Sequence, residues 1–412
     1  MKVVHINTSP NGGAGIAARR IQQAQLKNGV RAAFVSRTLT VDFDGDTWTD
    51  PFFDYVKPPK IDRIARRIGF IKSEYPELEA AQRKVQALLK RNTIETASIP
   101  YSQFRLEEHP LVEQADVVHL HWVGQIVDYT SFFKNINKPI VWTLHDMNPF
   151  LGLFHYLDDH NNNQDRLGIW DQELIQLKKQ AYGHVKRGAI VSPSKWLLGK
   201  ARESDVLNDF SVFKTIPNTL DLNVFAPKDK KELRIKKQID PEAHVLLFSA
   251  NALDIPRKGA ALLTAALDLL ERPVTVLTQG KGSIETSNPK VKIIPLGHSN
   301  DVATLADNYS VADAFLLPSL EDNLPNTMLE AMACGLPVIS FAIGGMNEHI
   351  IANRNGKLVT PTTAPALAAA IDRFCVSKAV YIPKLIRMYA TDNFGERRLV
   401  KAYQEVYDRI TN

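Results

Sequence analysis

Along the chain, short unbroken apolar runs alternate with longer amphipathic stretches. Val3-Val4-His5-Ile6, Val117-Val118-His119-Leu120, Ile140-Val141-Trp142 and Ala189-Ile190-Val191 are such runs in the first half. Val245-Leu246-Leu247-Phe248, Val274-Thr275-Val276-Leu277, Ala314-Phe315-Leu316-Leu317 and Val338-Ile339-Ser340-Phe341 follow in the second. A strand buried on both faces loses its polar alternation and reads this way. Between the runs, Ile16 to Asn28, Ala260 to Leu270 and Glu396 to Ile410 carry apolar residues at helical spacing. In the last of these, Leu399, Ala402, Tyr403, Val406 and Tyr407 share one face. Strand, turn, helix, strand is the repeating unit of a parallel sheet. The rhythm stops at residues 227–237, charged and polar, which read as a linker, and restarts at Val245. The pattern predicts an α/β protein of two doubly wound domains, 1–220 and 221–393, with a closing helix in 394–412.

Three stretches depart from the rhythm. Residues 158–165 have no apolar period and read as a polar loop. Asp42-Phe43-Asp44-Gly45-Asp46 invites a metal, but a calcium loop needs glycine sixth and glutamate twelfth. Here the sixth residue from Asp42 is Thr47 and the twelfth is Phe53, so a solvated acidic loop is expected. Residues 57–91 concentrate Lys and Arg, with Ile61, Ile64, Ala65, Ile68 and Ile71 at helical spacing: a basic amphipathic helix. Lys57, Lys60, Arg63, Arg66, Arg67 and Lys72 beside that apolar stripe suit an anionic membrane surface.

Composition narrows the class without changing this picture. The chain has 412 residues, 44% hydrophobic and 23% charged, enough for two cores. Net charge is only +5, and aromatics are sparse in the basic stretch, which argues against nucleic acid. No apolar run is long enough to cross a membrane, and Lys2 leads into a strand rather than a secretion signal. Two cysteines, Cys334 and Cys375, make no disulfide framework, so a reducing cytoplasm is expected.

The candidate chemistry centres on residues 315–348. Leu329, Met332, Ala333 and Leu336 form the apolar face of a helix between two buried strands. Pro325 suits its first position and Gly335 its end. Glu330 is the one charge between Thr327 and Leu336, and a carboxylate among apolar neighbours needs a partner. A vicinal diol is one such partner, because two hydroxyls can donate to two carboxylate oxygens. Asp322 lies in the preceding turn, and free N–H groups at the helix start suit an anion such as diphosphate. In the first half, His145 and Asp146 fall at the carboxyl end of a buried strand, where open α/β sheets place their sites. Gly13, Gly15 and Ala18 fit the spacing of a dinucleotide fingerprint. The next strand ends at Ser36-Arg37 without a ribose-binding acid, so that rival reading is an NADP oxidoreductase.

The stretch from Asp322 to Gly335, with Glu330-Ala331-Met332-Ala333-Cys334-Gly335 and the Pro337-Val338-Ile339 strand, resembles the signature of the retaining GT-B glycosyltransferases of family 4. Bacterial exopolysaccharide and colanic-acid enzymes are of this type. Other segments match in order: the Gly12-Gly13 loop, the strand-ending His145-Asp146, Ile216-Pro217-Asn218, Arg257-Lys258-Gly259 and Gly344-Gly345. The resemblance implies two Rossmann-like domains facing across a cleft, the first for the acceptor and the second for a nucleoside diphosphate sugar. It implies that the last helix packs back on the first domain. It implies hexosyl transfer to an acceptor hydroxyl with retention, needing no cofactor and no metal. By that resemblance His145 and Asp322 serve the reacting centre. Gly13, Lys258, Gly297, His298, Asn326 and Glu330 bind the donor, with Lys258 on its diphosphate and Glu330 on its ribose. The family's second cation falls at Ala252 here, leaving Arg257 or another cation to replace it. A lipid-linked saccharide acceptor at the inner face of a membrane, in surface polysaccharide synthesis, is the implied setting. A sugar-nucleotide epimerase on the same fold is the alternative activity.

Overall fold

The computed structural model describes residues 1–54, 74–90 and 94–412, so the basic helix expected at 57–72 lies outside the described residues. The chain forms two compact units. The first holds Met1–Ser192, Leu197–Thr215 and Ala402–Asn412; the second holds Pro193–Trp196 and Ile216–Lys401.

The first unit carries an eight-stranded sheet: β1 (Lys2–Ile6), β2 (Arg31–Val35), β3 (Thr40–Val41), β4 (Thr47–Trp48), β5 (Val117–Leu120), β6 (Ile140–Thr143), β7 (Gly188–Ser192) and β8 (Val212–Thr215). Their order is β4-β3-β2-β1-β5-β6-β7-β8. The pairs from β2 to β8 are parallel, and only β3 and β4 run antiparallel at the edge. Val3, Val4, Val117, Val118 and Val141 are completely buried, as the unbroken apolar runs require. Helices in this part of the chain are α1 (Gly12–Lys27), α2 (Pro76–Leu89), α3 (Pro110–Gln114), α4 (Tyr129–Asn135), α5 (Leu157–Asn162), α6 (Gln164–Tyr182) and α7 (Lys195–Glu203).

The second unit repeats the plan with six strands: β9 (Val245–Ala252), β10 (Val274–Lys281), β11 (Val291–Gly297), β12 (Ala314–Leu317), β13 (Val338–Phe341) and β14 (Gly356–Val359). Their order is β11-β10-β9-β12-β13-β14, all parallel. The helices are α8 (Lys230–Lys236), α9 (Ala260–Asp268), α10 (Val302–Val311), α11 (Asn326–Ala333), α12 (Met346–His349), α13 (Ala364–Ser377), α14 (Pro383–Phe394) and α15 (Glu396–Thr411). From Ala402 onward α15 belongs to the first unit, where Tyr403, Val406 and Tyr407 are buried.

In each sheet the chain reverses its direction of winding once, beside β1 and β5 in the first and beside β9 and β12 in the second. Crevices outside the carboxyl ends of strands at such a point are where α/β folds bind ligands.

Three local readings change, and a fourth gains its detail. The glycine loop is the first turn of a helix: α1 starts at Gly12, not Ile16. A Cβ on Gly15 would stand 2.3 Å from the Ser9 carbonyl oxygen, so only glycine lets that turn lie against the loop. The polar stretch 158–165 is helical, in α5 and the start of α6. No residue of α5 is buried, which is why no apolar stripe marked it. The expected linker contains α8, capped by Asp229 accepting from the Glu232 N–H. Its Arg234 is buried and donates to the carbonyls of Val311, Pro241 and Ala243. Finally, Asp42 to Asp46 turn the tip between β3 and β4, with Asp42 Oδ1 accepting from three backbone N–H groups at 2.8–3.0 Å.

Candidate active site

In the second unit, the groups flanking the switch point come together. Arg257 and Lys258 form a short helical turn after β9, and Asp322 lies in the turn after β12. Lys258 Nζ donates to Asp322 Oδ2 at 2.5 Å, and Arg257 stands 3.7 Å from the same oxygen. Burial opposes ionisation of Asp322, but Lys258 and then Arg257 outweigh it and hold the carboxyl below its usual range. Arg257 also donates to the Glu321 carbonyl at 2.9 Å, and its own carbonyl accepts from the Leu320 N–H. The acidic turn is therefore bound to the cation turn by both charge and backbone.

Glycines make that closeness possible. Gly259 has φ +75°, and a Cβ there would be 1.8 Å from the Pro318 carbonyl oxygen. On the other side, Gly344 and Gly345 would place a Cβ 1.9 Å from Asp322 O and 2.2 Å from Asn323 O. Residues 318–323 are thus wedged between two glycine corners. These glycines serve approach of one backbone to another.

Glu330 sits mid-way along α11, only 6% exposed, which rules out a solvated edge position. The Tyr309 hydroxyl of α10 donates to its Oε2 at 2.8 Å. Asn326 opens α11, and its Oδ1 accepts from Asn218 Nδ2 at 3.2 Å. Asn218 Oδ1 and Ser319 Oγ are buried with no hydrogen-bond partner among the described residues. Gly297 and His298 end β11 at the sheet edge, away from β9 and β12 in strand order, and are exposed. Tyr309 was not singled out from sequence, and Asn218 was quoted only within a matching segment, without a role. Only their spatial neighbours reveal them.

In the first unit, His145 follows β6 and is half-buried. Its Nε2 lies 3.1 Å from His121 Nδ1. His121 Nε2 lies 3.0 Å from His5 Nδ1, and His5 Nε2 lies 2.9 Å from Gln25 Oε1. Gln25 Nε2 donates to the Tyr407 hydroxyl at 2.8 Å, which also meets His119 Nδ1 at 2.8 Å. His119 Nε2 bonds Thr143 Oγ1 at 2.7 Å, and that oxygen meets the Tyr403 hydroxyl at 2.9 Å. The parallel register that places His5 opposite His119 builds this cluster. Gly13 belongs to the same unit, in the first turn of α1.

Asp146 anchors a separate group. Its Oδ2 accepts from Trp122 Nε1 at 2.9 Å and lies 2.6 Å from His155 Nδ1, while His155 Nε2 lies 2.9 Å from Ser98 Oγ. Ser98, His155 and Asp146 are linked in the order of a nucleophilic triad. Ser98 is only 2% exposed, and the cavity beside Asp146 and His155 measures about 10 Å³, room for roughly one water. The group fixes the turn that carries His145. Lys178, buried beside it, donates to the carbonyls of Asn148 and Leu151 at 2.5 and 2.6 Å.

Burial pulls His5 and His145 down to about 4 from 6.5, against opposing help from Gln25 and Asp146 respectively. His119 and His121 are pulled well below 6.5 by burial first, then by His5 and His145, with His119 also acting on His121. These histidines bind protons more readily in the unfolded chain. Their contribution to stability is therefore complete above pH 6.5 and is lost as pH falls toward 4. A decline on the order of 1 kcal/mol per pH unit for each histidine is expected in that window. A melting temperature that stays flat from neutral pH down to the His5 value of about 4 would contradict it.

Comparison with known proteins places this geometry. Residues 243–376, which hold the cation turn, the acidic turn and Glu330, match the glycosyl transferases group 1 family. A D-inositol 3-phosphate glycosyltransferase of Streptosporangium roseum is 24% identical over 280 residues, 63% of this chain and 61% of that protein. Among solved structures, sucrose-phosphate synthase of Thermosynechococcus elongatus superposes with TM-score 0.65, at 17% identity over 99% of both chains. HepE of Anabaena, solved with UDP, gives TM-score 0.64 at 16% identity, covering 99% of this chain and 100% of that one. The fold is GT-B. Within that GT-B fold, the group 1 segment spans β9 to most of α13. The two Rossmann-like sheets expected from the apolar runs are those of the fold.

Proposed function

We propose that this protein transfers a glycosyl unit from a nucleoside diphosphate sugar to an acceptor hydroxyl, with retention of configuration. The observation that carries the reading is the partly buried charged group at the β9/β12 switch point. Two cations, Arg257 and Lys258, share one carboxylate there, and Glu330 is buried on the adjoining helix. A departing diphosphate needs fixed positive charge, which such a site supplies without reorganising at the moment of reaction. In this reading Lys258 and Arg257 meet the diphosphate, and Glu330 and Asn326 meet the ribose side of the donor. The N–H groups opening α11 face phosphate. Gly297 and His298 border the base, Gly13 lies near donor phosphates, and Asp322 and His145 serve the reacting centre. The match to the group 1 family and the UDP held by HepE support a nucleoside diphosphate as ligand.

Release of UDP or GDP from a panel of radiolabelled sugar nucleotides tests the reaction. Isomerised sugar that stays attached to its nucleotide would point to an epimerase and sink the transferase reading. Glu330→Ala is expected to weaken diphosphate binding about tenfold or more, since a charged acceptor for hydroxyls contributes about 1.5–3 kcal/mol. Calorimetry showing unchanged affinity in a folded variant removes Glu330 from the ribose.

A lipid-linked saccharide as acceptor, and contact of residues 57–72 with an anionic inner membrane face, extend this reading on the basic apolar pattern of that stretch. No helix of the described residues is long and apolar enough to cross a membrane. Sedimentation with phosphatidylglycerol vesicles at low salt tests the contact. Protein that stays in the supernatant refutes it.

A further inference from the structure

The histidine chain of the first unit has a direction, and that direction can be worked out atom by atom. A neutral imidazole has one N–H donor and one bare acceptor nitrogen. Gln25 presents its oxygen to His5 and its N–H₂ to the Tyr407 hydroxyl. An amide oxygen only accepts, so His5 carries its proton on Nε2 and leaves Nδ1 bare. His121 must then donate from Nε2 to His5 Nδ1, 3.0 Å away, which leaves His121 Nδ1 bare. His145 must donate from Nε2 to that nitrogen at 3.1 Å, which leaves His145 Nδ1 bare. Among the described residues His145 Nδ1 has no hydrogen-bond partner. The other branch agrees. Tyr407 accepts from Gln25 and donates to His119 Nδ1, so His119 donates from Nε2 to Thr143. Turning the Gln25 amide over would reverse every one of these bonds and give His145 an Nδ1–H instead.

We propose that Gln25, His5 and His121 act as positioning residues that lock His145 in its Nε2–H tautomer, so that Nδ1 is offered to substrate as a hydrogen-bond acceptor for a sugar hydroxyl. The lock rests on the assignment of His145 to the reacting centre. Tyr407 accepts from the Gln25 amide N–H and passes the same sense on to His119. His5, Gln25, His119 and Tyr407 are at most 1% exposed and His121 is 2% exposed, so bulk water does not scramble the order. His5, His119 and His121 could bring three nitrogens within 4.8 Å of one another around a cation. Both ring nitrogens of each of these three histidines already have a hydrogen-bond partner at 2.7–3.1 Å, which favours the ordered chain over a metal.

Nitrogen-15 spectra of histidine-labelled protein at neutral pH read each tautomer directly, with His145 assigned by difference from His145→Gln. The wild type is expected to show Nε2–H and bare Nδ1 at His145. Gln25→Leu removes the acceptor of the His5 proton, and the chain is expected to reverse, giving Nδ1–H at His145. Tyr407→Phe removes a single oxygen and spares the fold. It is expected to populate both tautomers and lower kcat by roughly tenfold with donor KM unchanged. A wild-type His145 with Nδ1–H, or a tautomer indifferent to both substitutions, overturns the lock and leaves the transferase reading standing. A transition metal bound at one per chain overturns it as well, because a metal takes the lone pairs that the order requires. Conversely, a locked tautomer together with full turnover in His145→Ala removes His145 from the reaction, and with it the purpose proposed for the lock.

Discussion

Lys258→Ala is expected to lower affinity for a nucleoside diphosphate by about tenfold to a hundredfold, while the parent nucleoside binds almost as before. The difference arises because only the diphosphate carries the charge that Lys258 meets, and one charge-assisted hydrogen bond contributes about 1.5–3 kcal/mol. In the unliganded protein that cation is not idle. It donates to Asp322 at 2.5 Å, and Asp322 keeps its proton off largely through this contact. Diphosphate must therefore compete with a carboxylate for the same ammonium. Asp322→Asn removes the competitor and is expected to move affinity for the free diphosphate upward, although turnover falls. Calorimetry with UDP, GDP, uridine and guanosine checks both variants. Equal losses for nucleoside and diphosphate in Lys258→Ala would show that the lysine only braces the acidic turn.

His145→Ala is expected to cut turnover by about two to four orders of magnitude, the usual contribution of a group that exchanges or holds a proton at the reacting atoms. Affinity for the donor should change little, because the interaction is strengthened only in the transition state. The side chain is half-buried and, among the described residues, hydrogen-bonds to His121. Truncation consequently leaves the core nearly intact. A variant that melts early yet turns over normally would identify His145 as a packing residue. Pre-steady-state measurement of nucleotide release separates the chemical step from product departure.

Much of this protein was legible in its sequence because the relevant physics is local. Parallel strands buried on both faces leave unbroken apolar runs, and Val245–Phe248 or Ala314–Leu317 could be found on that ground alone. Glu330 stood out because a carboxylate inside an apolar helix is costly, and it is indeed buried. The helices α5 and α8 escaped notice because their exposed surfaces are polar all round or nearly so, leaving no stripe for periodicity to detect. Gly259, Gly344 and Gly345 stood in the sequence only as matches to the family's segments, and in the structure they give room to the backbone of residues 318–323. The positions of such contacts depend on strand order, and strand order has no local signature. The same holds for the partners of the candidate residues. Tyr309 reaches Glu330 across 21 positions, and His5 finds His121 across 116. Gln25, which sets the sense of the histidine chain, meets Tyr407 across 382. Sequence determined which groups must be buried and which of them need partners; only the tertiary structure decided who the partners are, because hydrogen bonds are made by neighbours in space.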